Sequence, residues 1–520
     1  MLIVVMTASL MACAKQTPAP APTPATPQPA APATPAPAAP AAKYGGILRY
    51  GGAVMPTSTI GWPAKMMEQD SEVVMPILET LVREDNKLKI QPLLASAWKI
   101  ADNKSSITLT IRQGVKFHDG SDLNAEVVKF NLQAVKDGKL PGTAAWTSID
   151  VVDPNTVRIN LSKWDNSIIE ALSSRTGMII SQAAFQKNGQ DWTQQNPIGT
   201  GPFKFVSFTR DVELVTTKFN DYWQKGKPYL DGIKYVFFTQ SQTMIAAYRA
   251  GELDEAAAFM AKSLSDLIAG GDTLVFQPDG CMILYPDIAN ADSPWSKLKV
   301  RQAAYSAIDR EAMAKMLGFG IFTPAYQWPR PGAIGYLDNV SAKYDPDKSK
   351  QLLTEAGYPN GFKSFITSGA DTSTAVALQG QLAKVGITLD IDVLAGTKYA
   401  DYIAGGWKNT IMASPAASYQ NFLASVEQYY TTPKYYVSLK GPAGWQALLE
   451  AARATTDVEP AKVQALTKAM YDDVSVIPWM YMGMGHVFHK ENQLNDHGHF
   501  TQSYHKAWIP ENAWFSNPKK

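Results

Sequence analysis

Cysteine is almost absent from this chain, since only Cys13 and Cys281 occur among its 520 residues. Two cysteines cannot build the disulfide framework of a small secreted scaffold. The chain also has no excess of charge of either sign, because 48 Lys and Arg residues balance 47 Asp and Glu residues. A balanced charge argues against the basic surface of a nucleic-acid-binding protein, so we expect no nucleic-acid partner.

Long apolar segments and catalytic motifs are missing as well. After the first dozen residues no run approaches the roughly 20 apolar residues of a membrane-spanning helix, which argues against a multispanning protein. The sequence has no nucleophile elbow, zinc-protease motif, Walker A loop or dinucleotide-binding glycine motif. The segment 199–202 (GTGP) lacks the Lys of a phosphate loop, so we predict a rigid turn there. We therefore predict that the protein is not an enzyme and carries no cofactor.

Histidine is rare but unevenly distributed. Five of the six histidines lie in the last 35 residues. His497 and His499 are spaced like alternate residues of a strand and could chelate a divalent metal. No Cys lies nearby, and solvated imidazoles are the simpler interpretation. Metal acquisition therefore stands as an alternative hypothesis, with no metal site as the main prediction.

The amino-terminal region has the composition of a targeting signal. Residues 2–12 are apolar but too short to span a bilayer, as in a signal peptide. They end in Leu10-Met11-Ala12-Cys13, which resembles a bacterial lipobox and marks Cys13 as a lipidation site. The segment 17–42 holds ten prolines and favours a stiff polyproline linker over a packed core. With Cys13 acylated, we expect Cys281 to be a small buried hydrophobe.

Beyond the linker, the patterning predicts a mixed α/β protein. Alternating apolar residues predict strands at 106–112 and 157–161, and strand-like runs recur at 233–239, 387–393 and 410–413.

Three segments carry helix signals. Asn124 can cap a helix over the following apolar residues, and Asp345 before Pro346 begins another that ends near Gly357. Residues 299–317 predict a single amphipathic helix.

Tryptophan is plentiful, and several of the thirteen lie beside turn residues. Trp62 and Trp328 each precede a proline, and Trp407 follows two glycines. Aromatic side chains on loops can form the walls of a ligand cleft. They can equally fill local gaps in the packing, so both interpretations remain open at this stage.

Short motifs along most of the chain resemble the family 5 extracellular solute-binding proteins. Residues 94–132 are similar to the family signature along their whole length, and residues 45–50 resemble its opening strand. Further motifs follow in the family's order at 196–203, 220–223, 227–231, 248–254, 300–303, 307–310, 344–347, 357–359 and 385–387. Each motif is weak alone, but their order over about residues 44–510 identifies the chain as a member.

The resemblance implies a two-lobed periplasmic-binding-protein fold (type II) around a central cleft, with an extra inserted domain. Mapped onto this chain, it implies a signal peptide at 1–12, the lipidated Cys and linker at 13–43, lobe I at 44–82, 200–288 and 484–520, the inserted domain II at 83–199, and lobe III at 289–483. The crossings near 286–296 and 478–486 would form the hinge.

The resemblance also implies a function. Such a protein captures a peptide or related small solute by hinge closure and delivers it to the permease subunits of an ABC importer. We expect a monomer outside the cytoplasm, attached to the cell membrane by its lipid anchor. A nickel or other metal chelate and an oligosaccharide are alternative ligands. A stalked cell-surface hydrolase is a further alternative, although no nucleophile or carboxylate pair can be named for it.

The ligand-binding residues are predicted from lobe III and from the loop tryptophans. Peptide-binding relatives hold the ligand's amino group with an Asp in the segment that corresponds to residues 410–422, and no Asp occurs there. A buried ammonium without a counter-charge costs several kcal/mol. The missing Asp therefore argues against a free dipeptide in the usual orientation. Neutral polar groups beside tryptophans favour a less charged ligand, such as a capped or longer peptide, an oligosaccharide or a neutral chelate. The predicted site consists of Trp62, Trp328, Trp407, Ser414, Tyr419 and Asn421.

Overall fold

The computed structural model describes residues 42–52, 55–56, 59–85, 89–341, 343–369, 372–394, 401–403, 405–418, 421–431, 436–490, 494–495 and 509–518. The predicted signal peptide, Cys13 and most of the linker lie outside the described residues. Tyr419, His497 and His499 lie outside them too.

Nineteen strands are assigned in this part of the chain. They are β1 (Ile47–Gly52), β2 (Val82–Glu84), β3 (Ile90–Pro92), β4 (Ala95–Ile100), β5 (Ser106–Ile111), β6 (Trp146–Asp153), β7 (Thr156–Leu161), β8 (Phe203–Thr209), β9 (Glu213–Lys218), β10 (Gly232–Phe237), β11 (Glu255–Ala258), β12 (Thr273–Pro286), β13 (Thr323–Pro324), β14 (Phe362–Ser368), β15 (Ile387–Val393), β16 (Thr410–Ala417), β17 (Ile477–Phe488), β18 (Leu494–Asn495) and β19 (Trp514–Phe515).

The helices alternate with the strands along the chain. They are α1 (Ser71–Val74), α2 (Ala125–Asp137), α3 (Ser167–Ala171), α4 (Gln182–Thr193), α5 (Ser241–Arg249), α6 (Ala261–Ile268), α7 (Leu298–Ser306), α8 (Arg310–Leu317), α9 (Pro346–Glu355), α10 (Ser373–Ala383), α11 (Phe422–Tyr430), α12 (Trp445–Arg453) and α13 (Pro460–Asp472). Among the described residues, none of these helices combines the length and apolarity that a bilayer crossing requires.

The main sheet is built on two long strands, β12 and β17, which pair with each other antiparallel. On one side lies the first half-sheet, in the order β11, β1, β10, β9 and β8. On the other side lies the second half-sheet, in the order β16, β14 and β15. β17 pairs with β11 through residues 485–488, whereas β12 pairs with β16 through residues 280–286. The chain thus passes from one half-sheet to the other along β12 and returns along β17.

The ladder between β12 and β17 is interrupted where the sheet changes from one half to the other. Its register shifts between Gln277 and Gly280. Pro278 lies in this gap and has no backbone N–H to donate, so the ladder cannot continue through it. This point precedes the segment 286–296 in which the sequence placed the crossing. On β17 the change falls near residues 482–485, within the expected segment 478–486.

A separate antiparallel sheet has the order β4, β5, β7 and β6. Its apolar face packs with α2 in a core that includes Ile107, Leu109 and Ile159. We call residues 95–166, which contain these four strands and α2, the β4–β7 unit. It lies within the predicted inserted domain, and the limits of the three lobes stay a prediction.

Most local predictions are confirmed. Strands occur at each of the five predicted places, and Asn124 and Asp345 each cap a helix by accepting a bond from a backbone N–H. Cys281 is buried and is a free thiol. The single helix at 299–317 is wrong, because α7 ends at Ser306 and α8 begins at Arg310. Asp309 separates the two helices, since its side chain accepts from the N–H of Ala312 as an N-cap.

The segment 199–202 is a tightly packed turn, as predicted. A Cβ atom on Gly199 would lie 2.1 Å from the carbonyl oxygen of Ile77, so the position has no room for a side chain. His118 holds the turn, because its Nε2 lies 2.9 Å from the Gly201 oxygen and its Nδ1 accepts from Gly199 N–H at 3.4 Å. Burial lowers the pKa of His118 to about 4, which keeps the imidazole neutral in this role.

We predict that Gly199→Ala destabilises the protein. The added methyl group collides with backbone rather than with a flexible side chain, so the cost should reach about 3 kcal/mol, the upper end for overpacked sites. Thermal unfolding measures it. The control is Gly270→Ala, where nothing lies within 4 Å of the new Cβ. Equal melting temperatures for the two variants would contradict the tight packing of this turn.

Candidate functional site

The strand directions place a candidate cleft where the two half-sheets meet. β1, β10 and β11 run parallel, and β14, β15 and β16 also run parallel. The last residue of β11, Ala258, pairs with Gly485 of β17. The last residue of β16, Ala417, pairs with Gly280, which in turn pairs with Met482 of β17. The carboxyl ends of both sets of strands therefore lie on opposite sides of the β12–β17 pair, at heights that differ by only three residues of β17, or about 10 Å along that strand. Open α/β sheets bind ligands beyond such carboxyl ends.

On the second half-sheet, a shelf of residues 327–330, 417–418 and 421 lies at the carboxyl end of β16. Ser418 Oγ accepts from Arg330 N–H at 3.1 Å and contacts the Trp328 oxygen at 3.2 Å. The indole N–H of Trp328 donates to the Ala417 oxygen at 3.2 Å. These bonds fix the loop against the strand end, and we call this group of residues the β16 shelf.

The β16 shelf is also tied to the long strand β17. The hydroxyl of Tyr481 lies 2.7 Å from the Pro329 oxygen and 2.8 Å from the Gln327 oxygen. Because Tyr481 belongs to β17, the position of the shelf is set by the strand that joins the two half-sheets.

Asn421 provides a donor at the edge of the β16 shelf. Its Oδ1 accepts from Leu423 N–H at 3.2 Å and caps α11. Its Nδ2 has no hydrogen-bond partner among the residues that the structure describes, although the residue is only 3% exposed. A buried amide N–H without an acceptor costs free energy. A ligand acceptor placed here would recover that cost.

Trp407 lies near the opposite end of β16 from the shelf. It precedes Thr410, the first residue of the strand, so about 25 Å of strand separates it from the carboxyl end. Its ring stacks on Tyr402 at 6.2 Å and meets Tyr436 edge-on at 5.5 Å. Ser414 lies between the two ends, with its Oγ 3.4 Å from the Tyr436 hydroxyl. The structure thus gathers Trp328 and Asn421 at the shelf but does not bring Trp407 to them.

Trp62 lies in a third place. It is 6% exposed and stacks on Phe185 at 4.7 Å. The pair lines a groove of about 600 Å³ with residues of α2 and α4, among them Phe130 and Lys129. The groove borders the predicted inserted domain, so Trp62 packs between elements rather than at the end of β16. Its role in ligand binding, like that of the other predicted residues, stays a prediction.

On the first half-sheet, buried acidic groups lie close to the carboxyl end of β1. The hydroxyl of Tyr50 donates to Glu72 Oε1 at 2.5 Å, and Glu255 Oε1 lies 2.7 Å from His486 Nδ1. Glu72 Oε2 has no hydrogen-bond partner. Burial, with a further contribution from the charge of Glu255, raises the pKa of Glu72 to about 7. Burial also raises the pKa of Glu255, while His486 opposes that rise.

Two groups of this site were not predicted from the sequence. Arg330 lies two positions after the predicted Trp328 and is only 1% exposed. The sequence signal that could have identified Arg330 is a positively charged residue between two prolines, Pro329 and Pro331. Glu72 gave no signal, because a Glu among polar residues near a turn is indistinguishable from a solvated one.

The histidines within the described residues do not form a metal site. His486 pairs with Glu255, and the ring of His489 stacks on Tyr248 at 4.0 Å. In that part of the chain no group of three His, Cys, Asp or Glu side chains has the geometry to hold a metal ion. The hypothesis for His497 and His499 is outside the described residues.

Comparison with known proteins identifies the family. The profile of the bacterial extracellular solute-binding proteins, family 5, middle region, matches residues 89–436. The chain belongs to this family. Its members bind solutes and are not enzymes, which confirms the non-enzymatic prediction and removes the hydrolase alternative. The family name also places such proteins outside the cytoplasm.

Individual relatives agree with this assignment. The glutathione-binding protein GsiB of Salmonella typhi is 34% identical over 345 residues, which cover 63% of this chain and 65% of the relative. The matched region is thus slightly less than two thirds of that relative. The periplasmic binding protein DppA of Helicobacter pylori, solved with the peptide STSA, has a TM-score of 0.74 at 22% identity and covers 91% of this chain and 99% of its own.

A further solved structure is AgaA of A. tumefaciens R10 in complex with agropinic acid. It has a TM-score of 0.72 at 27% identity and covers 91% of this chain and 99% of its own. These likenesses confirm the mixed α/β periplasmic-binding-protein fold that the sequence predicted.

We predict that Glu72→Gln changes the dependence of stability on pH. The pKa of Glu72 is about 7 in the folded protein, against an ordinary value of 4.5. The folded state therefore retains a proton that the unfolded chain releases, so this group's stabilisation is full below pH 4.5 and is lost as the pH rises through 7. Gln keeps the acceptor for Tyr50 and removes the titration.

The measurement is the melting temperature from pH 4.5 to 8. The difference between Glu72→Gln and the parent should grow in favour of the variant as the pH rises. Glu126→Gln, at an exposed position on α2, is the control and should follow the parent. A constant difference across this range would show that Glu72 does not titrate there.

Proposed function

We infer that the protein is the solute-binding component of an ABC importer and that its solute is a peptide of the glutathione class. The observation that carries the proposal is the 34% identity to a glutathione-binding protein. The two half-sheets, joined by β12 and β17, supply opposite walls for a ligand. Closure about these strands traps the solute if the solute binds the closed state better than the open one. The closed protein then delivers the solute to a membrane permease.

The charges of the two walls support an anionic peptide. Segments 327–336 and 410–422 contain a single charged residue, Arg330. A guanidinium pairs well with a carboxylate, often through two hydrogen bonds. Next to the first half-sheet, Glu72 of α1 accepts from Tyr50 of β1, and its second oxygen, which has no partner among the described residues, is an acceptor for an ammonium group. Glutathione carries one ammonium and two carboxylates at neutral pH, so it can satisfy both walls.

This arrangement explains why the missing Asp in residues 410–422 does not exclude a peptide. A relative with an Asp there holds the ligand's amino group on the second half-sheet. In this chain the only charge available on those segments is positive, so the ligand would bind with its carboxylate at the β16 shelf. The peptide orientation or its anionic character would then differ from that of the peptide-binding relatives.

The proposal is tested by binding. Native mass spectrometry of protein purified without refolding would reveal any retained solute. Isothermal titration should give saturable binding of glutathione and weaker binding of an uncharged, doubly capped tripeptide. A retained oligosaccharide or metal chelate, with no heat from glutathione, would replace the peptide assignment with one of the alternative ligands.

We predict that Asn421→Asp weakens glutathione binding at least about tenfold, equivalent to about 1.4 kcal/mol. Asp keeps the oxygen that caps α11 but replaces the free amide donor with a negative charge, so the fold is retained while an anionic ligand is repelled. Asn103→Asp is the control, since its Oδ1 also accepts from a backbone N–H, on an exposed loop. Affinity equal to that of the control would make Asn421 a helix cap and nothing more.

We also propose that Cys13 is lipidated after removal of residues 1–12, and that residues 14–43 link the anchor to the binding protein. The lipobox-like sequence and the ten prolines that follow support the proposal. A tether raises the local concentration of the loaded protein at the membrane.

Cys13→Ala should move the protein from the membrane fraction to the soluble fraction and abolish labelling by a radioactive fatty acid. Cys281→Ala is the matched control and should stay in the membrane fraction. Retention of Cys13→Ala at the membrane would show that another feature holds the protein there.

A further inference from the structure

The carboxyl end of α12 receives hydrogen bonds from a distant part of the chain. Four successive carbonyl groups, those of residues 452–455, accept from residues of the β4–β7 unit. Their bonds are Ala452 O from Asn166 Nδ2 at 2.9 Å, Arg453 O from Asn166 N at 3.1 Å, Ala454 O from Lys104 Nζ at 2.6 Å, and Thr455 O from Trp164 Nε1 at 2.7 Å. Carbonyls at a helix end lack partners within the helix, so these donors satisfy groups that water would otherwise solvate.

The contact is buried at its centre. Asn166 and Trp164 are each 6% exposed, and Thr455 is 8% exposed. Asn166 Nδ2 makes a second bond, to Thr455 Oγ1 at 3.1 Å. Hydrogen bonds between buried groups are costly to break singly, because each leaves an unsatisfied partner.

Ion pairs surround this centre. Arg453 Nε lies 3.5 Å from Asp165 Oδ2, and Glu427 on α11 holds the same guanidinium from the other side. The pair Lys163–Glu450 is more open, at 3.6 Å, with both side chains more than two-thirds exposed. The exposed pair contributes little, whereas the buried donors and Arg453 define the contact.

Each side of the contact is anchored in a different core. Trp164 belongs to the core of the β4–β7 unit, whereas Trp445 and Leu449 of α12 belong to the core beneath the second half-sheet. The β4–β7 unit is bound toward the first half-sheet through His118, whose Nε2 lies 2.9 Å from the Gly201 oxygen just before β8, and through Arg112, whose guanidinium lies 4.5 Å from the centre of the Trp223 ring after β9. A rotation of the second half-sheet about the interrupted ladder at 277–280 would therefore have to break the contact with α12.

We propose that residues 164–166 and the carbonyl groups of 452–455 form a clasp that holds the two halves of the protein together in the closed state. This inference rests on the closure mechanism proposed above. The clasp contains no predicted ligand-binding residue, so it stabilises closure whether or not solute is present. The free energy of the clasp contacts therefore determines how much of the free energy of closure the solute has to supply.

The clasp is tested first without any ligand, on the purified full chain. Hydrogen exchange with mass spectrometry should show that the amide of Asn166 is protected, because it donates to Arg453 O. Asn166→Asp places an acceptor against Ala452 O and Thr455 Oγ1, so exchange of segment 163–167 should accelerate at least tenfold. The radius of gyration from X-ray scattering should increase in the same variant. Lys163→Ala, in the same loop but exposed, should behave like the parent.

Thr455→Val is a second variant, on the α12 side of the clasp. It removes the hydroxyl group that accepts from Asn166 Nδ2 and keeps the shape of the side chain. It should accelerate the same exchange to a smaller extent. With glutathione as the probe, both variants should bind more weakly, by about three- to tenfold, because a smaller fraction of the protein is closed.

Unchanged exchange and radius of gyration in both variants would overturn the clasp, whatever the solute. Faster exchange with no binding of glutathione to the parent would instead contradict the proposed solute and leave the clasp supported. If Asn166→Asp does not fold, Thr455→Val decides between these outcomes.

Discussion

The pairing of β12 with β17 is the constraint on which the rest of the structure depends. Together these two strands join the half-sheets, because β17 pairs with β11 on one side and β12 pairs with β16 on the other. Because Pro278 interrupts their ladder at the change from one half to the other, bending there breaks few hydrogen bonds. The same pairing brings the carboxyl ends of β11 and β16 to similar heights on opposite sides of the β12–β17 pair. The place where the sheet can bend is therefore also the place where a ligand can contact both halves.

The charges that lie beside the two half-sheets depend on which surroundings can bury each charged group. Glu72 lies against Tyr50 and near the Glu255–His486 pair, so it is an acid in an apolar core with a raised pKa. Arg330 lies in a loop whose backbone is held by Ser418 and Tyr481. Under the proposed function, each of these two buried groups would meet a part of the solute that carries the opposite charge.

Much of the fold was predictable because local signals agree with the tertiary structure. The caps at Asn124 and Asp345, the alternating strands and the turn at 199–202 each depend on neighbours in sequence. The break between α7 and α8 was missed, since an Asp inside an amphipathic pattern satisfies the helix period as well as a cap does. Trp407 shows the other limit: a tryptophan beside glycines has the same local sequence whether or not it lines a cleft, and its packing on Tyr402 and Tyr436 is set by the fold. The two ends of β16 are distinguished by the direction of the strand. That direction is set by pairing with β12 and β14, which are distant in sequence.

Closure in this molecule has contributions from two separate places. In the proposed mechanism the solute would bridge the half-sheets near β17, while the contact between α12 and residues 164–166 joins the β4–β7 unit to the second half-sheet. Solute binding and the contact at α12 both favour the closed state. A stronger contact at α12 therefore lowers the binding free energy that the solute must provide, but it also increases the fraction of protein that is closed without solute. In the proposed function, the loaded state is signalled to a permease, and that second contribution then has to stay small. The few buried bonds of the clasp are consistent with such a limit, because they add a modest increment to closure and leave the solute to decide it.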